Sequence, residues 1–373
     1  MVKYDNPDLT VITEDVVPGA VRWRSPSNIA LVKYWGKHGD QLPRNASVSF
    51  TLSGAATDTT LRYGPRKDFT EQLDVQLYFD GAEKPDFARR IRGYFERLLP
   101  IYPFLRQLSL RIDTSNSFPH SAGIASSASS MSALALCLVS MEEMLFKPLD
   151  EQEDFMRKAS YLARLGSGSA CRSIYGGAAV WGEVTGLAQS SELYAVSIAD
   201  RLHTDFINYH DAILLVSKSE KPVSSRAGHA MMEQNPYATA RYAQANRRTA
   251  EMMDVLRQGD AERFGEIVES EALTLHALMM SSYPSYLLIE PNTLHIIDKL
   301  RYYRRETGHP LYFTLDAGPN VHLLYPTAIA EQVDRFIQDH LIYYCEDKQY
   351  LADHVGRGPV QLGVDEPTDR ERT

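Results

Sequence analysis

The alternation of apolar and polar positions divides the chain into strand-like and helix-like runs. Val48, Phe50 and Leu52 alternate within Leu42–Gly54, the period of a half-buried strand. Ala20–Lys37 begins as a strand, with a turn expected at Ser25–Pro26. Two more strands are expected within Thr59–Asp80, around the polar turn Gly64–Asp68, and another over Leu108–Ser115. Asp86–Leu105 reads as an amphipathic helix. Leu134, Leu138, Met141 and Leu145 recur at helical spacing behind the small-residue stretch Pro119–Ser130. Asp150–Leu165 is a second helix with an acidic start, and Asp211–Val216 an apolar strand. The pattern is helical from Pro236 to His276, through Met252, Leu256, Phe264, Ile267 and Leu275, and again over Pro291–Thr307. His309–Pro326 gives strand, sharp turn, strand, and Ala328–Tyr344 a last helix. Val364–Thr373 reads as a charged, poorly ordered tail. Sheet and helices in this order predict an α+β fold.

A chain of 373 residues buries a large core and is expected to divide in two, at a soft boundary near Leu202–Asn208, into 1–205 and 206–373. The net charge of −9 argues against a general binder of nucleic acid or of membrane surfaces, which carry a basic excess. Cys137, Cys171 and Cys345 form no CxxC pair and no metal cluster, which fits a reduced cytoplasmic setting. The N-terminal stretch has too many charges and turn formers for a signal peptide. Ile124–Leu145 is apolar but rich in serine and runs into Glu142 and Glu143, so a buried helix is expected there rather than a membrane span.

The chemistry concentrates where small residues meet cations. In PHSAGIASSASS (Pro119–Ser130) a proline, a glycine and hydroxyl residues lead straight into a helix. The free amide hydrogens of a first helical turn and the positive end of its dipole favour an anion, and Ser126, Ser127 and Ser129 add donors. The alternative is an ordinary capped core helix. No Walker sequence is present, so a nucleotide would use another kind of loop. Lys33 and Lys37, four apart, fall on one side of a helix or of a strand and could converge on one anion, or could be solvated surface lysines. Trp35 between them does not suit a surface. Four glycines and three serines surround Arg172 in Ala163–Gly177, a composition that lets backbone approach a ligand or forms a loop with an exposed arginine. Lys218, Lys221, Ser224, Ser225 and Arg226 follow a buried strand, as an anion site or a solvated face. Asp316 precedes Ala317, Gly318 and Pro319 at a strand end, either a turn former or a base presented at a sheet edge.

The spacing PxxxG(I/L)xSSA resembles the phosphate loop of the GHMP kinase superfamily. NIALVKYWGK, SFPHSAGIASSAS, GSGSACRSIYGG and TLDAGPNV together resemble one of its members, the diphosphomevalonate decarboxylase family, and LPRNASVSFTL and KPVSSR fit in the right order. The resemblance runs from about Val21 to Pro326. It implies a GHMP kinase fold, with an N-terminal domain like ribosomal protein S5 domain 2, a C-terminal α/β domain and the active site between them. It also implies an ATP- and Mg²⁺-dependent decarboxylation of mevalonate 5-diphosphate to isopentenyl diphosphate, ADP, phosphate and carbon dioxide, by a cytoplasmic homodimer with no nucleic-acid or membrane partner.

Carried over by motif, Asp316 matches the family's base, Arg172 its carboxylate-holding guanidinium and Lys33 its lysine beside the reacting groups. Asn28, Tyr34, Lys37, Ser169, Ser225 and Arg226 match positions around the substrate. Pro119, Gly123, Ala125, Ser126, Ser127 and Ala128 match the ATP loop, with Mg²⁺ held through ATP and Ser127 its one candidate protein ligand. The chain departs from the family pattern at His120, Arg44 and Ala46–Ser47. The competing readings are a decarboxylase of mevalonate 5-phosphate, a small-molecule kinase that stops at the 3-phosphate, and a non-catalytic nucleotide-binding protein.

Overall fold

The computed structural model describes residues 4–68, 70–118, 126–147, 149, 151–219 and 223–364. Its first sheet is built on two long antiparallel strands, β1 (Gly19–Val32) and a later one that pairs with it from Tyr63 back to Val48. A short hairpin, β2 (Lys37–His38) with β3 (Leu42–Pro43), separates β1 from that partner, β4 (Ser47–Pro65). The expected turn at Ser25–Pro26 is instead a register shift inside one continuous strand, between Pro26 and Asn28. Proline has no amide hydrogen to give the ladder, so the strand bulges there rather than reversing. The runs read as separate strands at Leu42–Gly54 and after Thr59 are likewise one strand, β4.

The sheet continues through β5 (Asp74–Phe79), β6 (Ala82–Glu83) and β7 (Leu108–Asn116), with β8 (Ala178–Trp181) and β9 (Ala195–Ser197) branching from β4. Helix α1 (Pro85–Leu98) is shorter than expected; Pro100 and Pro103 follow it, and Pro103–Arg106 is a separate 3₁₀ turn. Helix α2 (Ser126–Leu145) lies between this sheet and α3 (Gln152–Gly166), so it is apolar nearly all round. By length and apolarity it would pass for a membrane span, but 72% of its apolar window is buried within the fold. Its inward serines are all bonded: Ser129 to Thr57, Ser132 to Ser25, and Ser140 to the Trp23 indole.

A second sheet, of order β11-β12-β10-β13, comprises β10 (His210–Leu214), β11 (Tyr312–Leu315), β12 (Val321–Tyr325) and β13 (Tyr350–His354). The turn α4 (Thr204–Ile207) leads into it and α5 (Ser225–Met231) follows β10. The single helical run expected over Pro236–His276 is two helices, α6 (Ala238–Gln258) and α7 (Ala261–Met280), where the Asp260 carboxylate caps α7 by accepting the Arg263 amide. Helices α8 (Pro291–Thr307) and α9 (Ala330–Phe336) complete the half, α9 running on into π and 3₁₀ turns to Tyr344.

The chain then returns to its beginning: β14 (Val360–Leu362) pairs with β1, so a division at 205 leaves one strand of the first sheet in the second half. The expected tail thus starts beyond a strand, and residues 365–373 lie outside the described ones. Asp353 on β13 joins the two sheets, its carboxylate accepting the amides of Ser53, Gly54 and Ala55 on β4.

Candidate active site

Lys33 lies just past the end of β1, is 2% exposed, and places its ammonium 3.0 Å from Asp316 Oδ1. Asp316 follows β11 and its side chain remains 26% exposed. Of this pair, therefore, only the carboxylate is open to an incoming molecule. Both members are fixed through their backbones. The Lys33 amide donates to Glu271 Oε2 at 2.8 Å, and its carbonyl accepts from Asn45 and Arg241. The Asp316 carbonyl accepts from His276 Nε2 at 3.0 Å, which puts the imidazole proton on that nitrogen.

Glu271 is fully buried beneath Lys33 and is paired with Arg241 and Arg248. Burial pushes its carboxyl pKa up, but the bonds and charges of the two guanidinium groups and the Lys33 amide outweigh it, so the net displacement is downward.

Arg172 comes from a 3₁₀ stretch, Gly168–Ile174, and is 2% exposed rather than on a flexible loop. Its Nε donates to Ser49 Oγ at 3.0 Å, Nη1 to Ser47 Oγ at 2.7 Å and Nη2 to Asn28 Oδ1 at 3.3 Å. Asn28 is itself held, its amide donating to Ser173 Oγ and to the Ser169 carbonyl. A guanidinium has five N–H groups. These three bonds leave one on each terminal nitrogen, which can receive a carboxylate. Burial lowers the Arg172 pKa from its ordinary value, while the charge of Asp316 opposes the shift, so Arg172 and Asp316 share one electrostatic field.

The two lysines do not share a partner. Lys37 Nζ donates to Gln41 at 2.8 Å, and burial followed by the nearby charge of Arg226 lowers its pKa. Arg226 and Ser225 open α5, which packs on the Tyr34–Gly36 segment: the His229 ring lies 4.4 Å from Tyr34 and 4.5 Å from Trp35. Trp35 is 5% exposed, as its place between two lysines suggested.

At the start of α2, Ser126 accepts from the Asn116 amide at 3.1 Å, and the exposed Ser127 lies 3.3 Å from Ser167 across to the Arg172 stretch. Ser129, read as a donor to an anion, packs instead: it is 0% exposed and bonded to Thr57. Pro119, Gly123 and Ala125, with His120, lie outside the described residues, as does Lys221. A groove of about 490 Å³ beside Arg44, Asn45, Ala46 and Glu183 contains none of Lys33, Arg172 and Asp316.

Sequence reading missed Glu271, Arg241, Arg248, His276 and His229. Their signal was available in part: Glu271 and His276 are polar positions inside the apolar run of α7, where a buried charge requires a partner.

Two sheets with a buried helix that follows a small-residue sequence, and a site formed where the halves meet, define a GHMP kinase-type fold. Residues 25–192 match the diphosphomevalonate decarboxylase-like N-terminal domain, and residues 212–363 the mevalonate 5-diphosphate decarboxylase C-terminal domain. The chain belongs to the diphosphomevalonate decarboxylase family. It is 31% identical to the diphosphomevalonate decarboxylase of Candida albicans over 331 residues, 85% of this chain and 87% of that one. The mevalonate diphosphate decarboxylase structure from Staphylococcus aureus is 27% identical with a TM-score of 0.77, covering 93% of this chain and 99% of its own. A structure described as MDDEF in complex with MVAPP, AMPPCP and magnesium is 26% identical with a TM-score of 0.78, at the same two coverages of 93% and 99%.

Proposed function

We propose that Asp316, Arg172 and Lys33 carry the family's reaction in this chain: ATP-dependent decarboxylation of mevalonate 5-diphosphate to isopentenyl diphosphate, with ADP, phosphate and carbon dioxide. The observation that carries this reading is the ion pair between Lys33 and the partly open Asp316, with the buried Arg172 in the same field. A tertiary alcohol is a poor nucleophile, so a carboxylate beside its proton is required; Asp316 is the open carboxylate of the pair. Lys33 lies against Asp316 and adds positive charge where phosphate departs. The two remaining Arg172 N–H groups hold the substrate carboxylate as it leaves as carbon dioxide.

Lys37, Arg226, Ser225 and Tyr34, with Ser169 and Asn28 towards Arg172, form the substrate pocket. Two cations that raise each other's potential, Lys37 and Arg226, suit a diphosphate better than a single phosphate. The first turn of α2, with Ser126, Ser127 and Ala128, is the ATP phosphate site, and Pro119, Gly123 and Ala125 precede it in sequence. Its donor set of hydroxyls and helix amides fits an oligophosphate. Mg²⁺ would neutralise charge on the ATP oxygens, and Ser127, an exposed hydroxyl at the start of α2, would be its protein ligand.

We further propose a division near 205, which the two matched ranges support, and a cytoplasmic homodimer. The three buried free thiols suit a reducing compartment. The test is release of carbon dioxide and ADP from ATP and Mg²⁺ with mevalonate 5-diphosphate or the 5-phosphate. Matched products from the diphosphate are expected. Products from the 5-phosphate instead would reassign the Lys37–Arg226 cluster, and ADP without carbon dioxide would make the protein a kinase.

A further inference from the structure

We propose that His229 is a positioning residue for the diphosphate site: it latches α5, which carries Ser225 and Arg226, onto the Tyr34–Gly36 segment that leads to Lys37. The proposal rests on reading these side chains as the diphosphate's ligands.

His229 is 9% exposed and makes three contacts with that segment. Its Nδ1 accepts the Gly36 amide at 2.9 Å, and its ring lies between Tyr34 and Trp35, at 4.4 and 4.5 Å. Gly36 lies in the gap between β1 and β2, so its amide has no ladder to join, and His229 supplies the acceptor.

The approach is close enough to restrict composition on α5, and Gly36 is constrained from α6. A Cβ on Gly228 would come within 2.5 Å of the Trp35 ring and 2.6 Å of the Tyr286 hydroxyl. Gly36 has φ +100°, and a Cβ there would strike the Tyr242 hydroxyl. The helix is seven residues long and too short to hold its place by its own hydrogen bonds.

The consequence is electrostatic. Lys37 comes from one segment and Arg226 from the other, and the Arg226 charge disfavours that of Lys37. Without the substrate's phosphates the two cations push α5 away from the β2 hairpin. The latch opposes that force and keeps both guanidinium and ammonium facing the same space. The imidazole suits the task because it stays neutral: burial, and then the Lys37 charge, bring its pKa down to about 3. A cation at this position would join the repulsion.

The test separates the ring from its acceptor. His229→Phe keeps a stacked ring and loses the acceptor; His229→Asn restores an acceptor close to where Nδ1 stood. His229→Phe is expected to raise KM for mevalonate 5-diphosphate about tenfold, with kcat within about threefold and KM for ATP unchanged. His229→Asn is expected to recover most of the lost affinity. A general loosening of the fold would instead move kcat and the ATP KM together, and that result, or an Asn variant no better than Phe, would overturn the latch. Arg226→Gln is the control. A raised KM in Arg226→Gln with an unchanged KM in His229→Phe overturns the latch alone. A wild-type KM in Arg226→Gln overturns the assignment of the diphosphate site, and the latch with it.

Discussion

Glu271 and His276 stand on the same helix, and one holds the backbone of Lys33 while the other holds the backbone of Asp316. Residues 283 apart in sequence are thereby set against one rigid element. The 3.0 Å contact between Lys33 and Asp316 is fixed by α7 as well as by the attraction of the two charges. This matters because an ion pair in a partly open site gains little by itself, whereas groups already held in place need not reorganise as charge develops.

Glu271→Gln should therefore be costly. The variant leaves Arg241 and Arg248 without a counter-charge in a site where Glu271 is 0% exposed, a loss of about 3–5 kcal/mol in urea unfolding at neutral pH. The pH dependence has a definite sign. The folded-state pKa of Glu271 is lowered, so its contribution is complete above the unfolded carboxyl's value and declines as pH falls below it. The stability gap between wild type and variant should narrow towards about pH 3. A gap that stays constant down to that pH would show that the carboxylate's charge is not what matters.

Asp316→Asn tests the base. The amide keeps the shape and loses the ability to take a proton, so kcat should fall by about 10²–10⁴ while KM for the substrate and for ATP stays within a few-fold. Steady-state rates of carbon dioxide release measure it. Near-normal turnover would remove Asp316 from the role.

Much of this was legible in the sequence, for identifiable reasons. Arg172 and Asp316 sit beside turn or small residues, and Lys33 stands four positions before Lys37 with Trp35 between, which is where local pattern points to a ligand. The alternation in β4 and the 3.6 period of α2 follow from burial on one side or on all sides. What local pattern could not show was long-range pairing. The β1 turn expected at Pro26 is a bulge because β4 runs past it on one side. Ser129 looked like an anion donor because nothing nearby in sequence reveals Thr57 as its partner. Gly259 and Asp260 end one helix and begin the next within a run whose apolar spacing hardly changes. The return of β14 to β1 joins residues more than 300 positions apart and has no local signature.

The holding of Arg172 gives a graded prediction. Arg172→Lys offers three tetrahedral donors where the site uses a planar fork, with Ser47, Ser49 and Asn28 already occupying three of its hydrogens. A loss of about 2–4 kcal/mol in kcat/KM, roughly 30- to 1,000-fold, is expected. Ser47→Ala removes one orienting bond and should lose only about fivefold to tenfold. Equal losses in the two variants, measured as kcat/KM for the diphosphate, would mean that Arg172 acts only as packing.

Acid stability offers an assay of His229 that does not depend on turnover. Its folded-state pKa is lowered to about 3, against about 6.5 in an unfolded chain. Between those values the unfolded state binds the additional proton, so folding free energy from this group rises with pH and is lost as pH falls. The limiting slope for one group is about 1.4 kcal/mol per pH unit. His229→Asn cannot titrate, so its stability should fall less steeply than wild type between about pH 6 and pH 4. Urea unfolding across that range supplies the comparison, with Glu271 unchanged in both proteins. Parallel slopes would mean that the imidazole is charged in the folded state. An imidazolium cannot accept the Gly36 amide at Nδ1, so that result would also dismantle the hydrogen bond that ties α5 to the segment before Lys37.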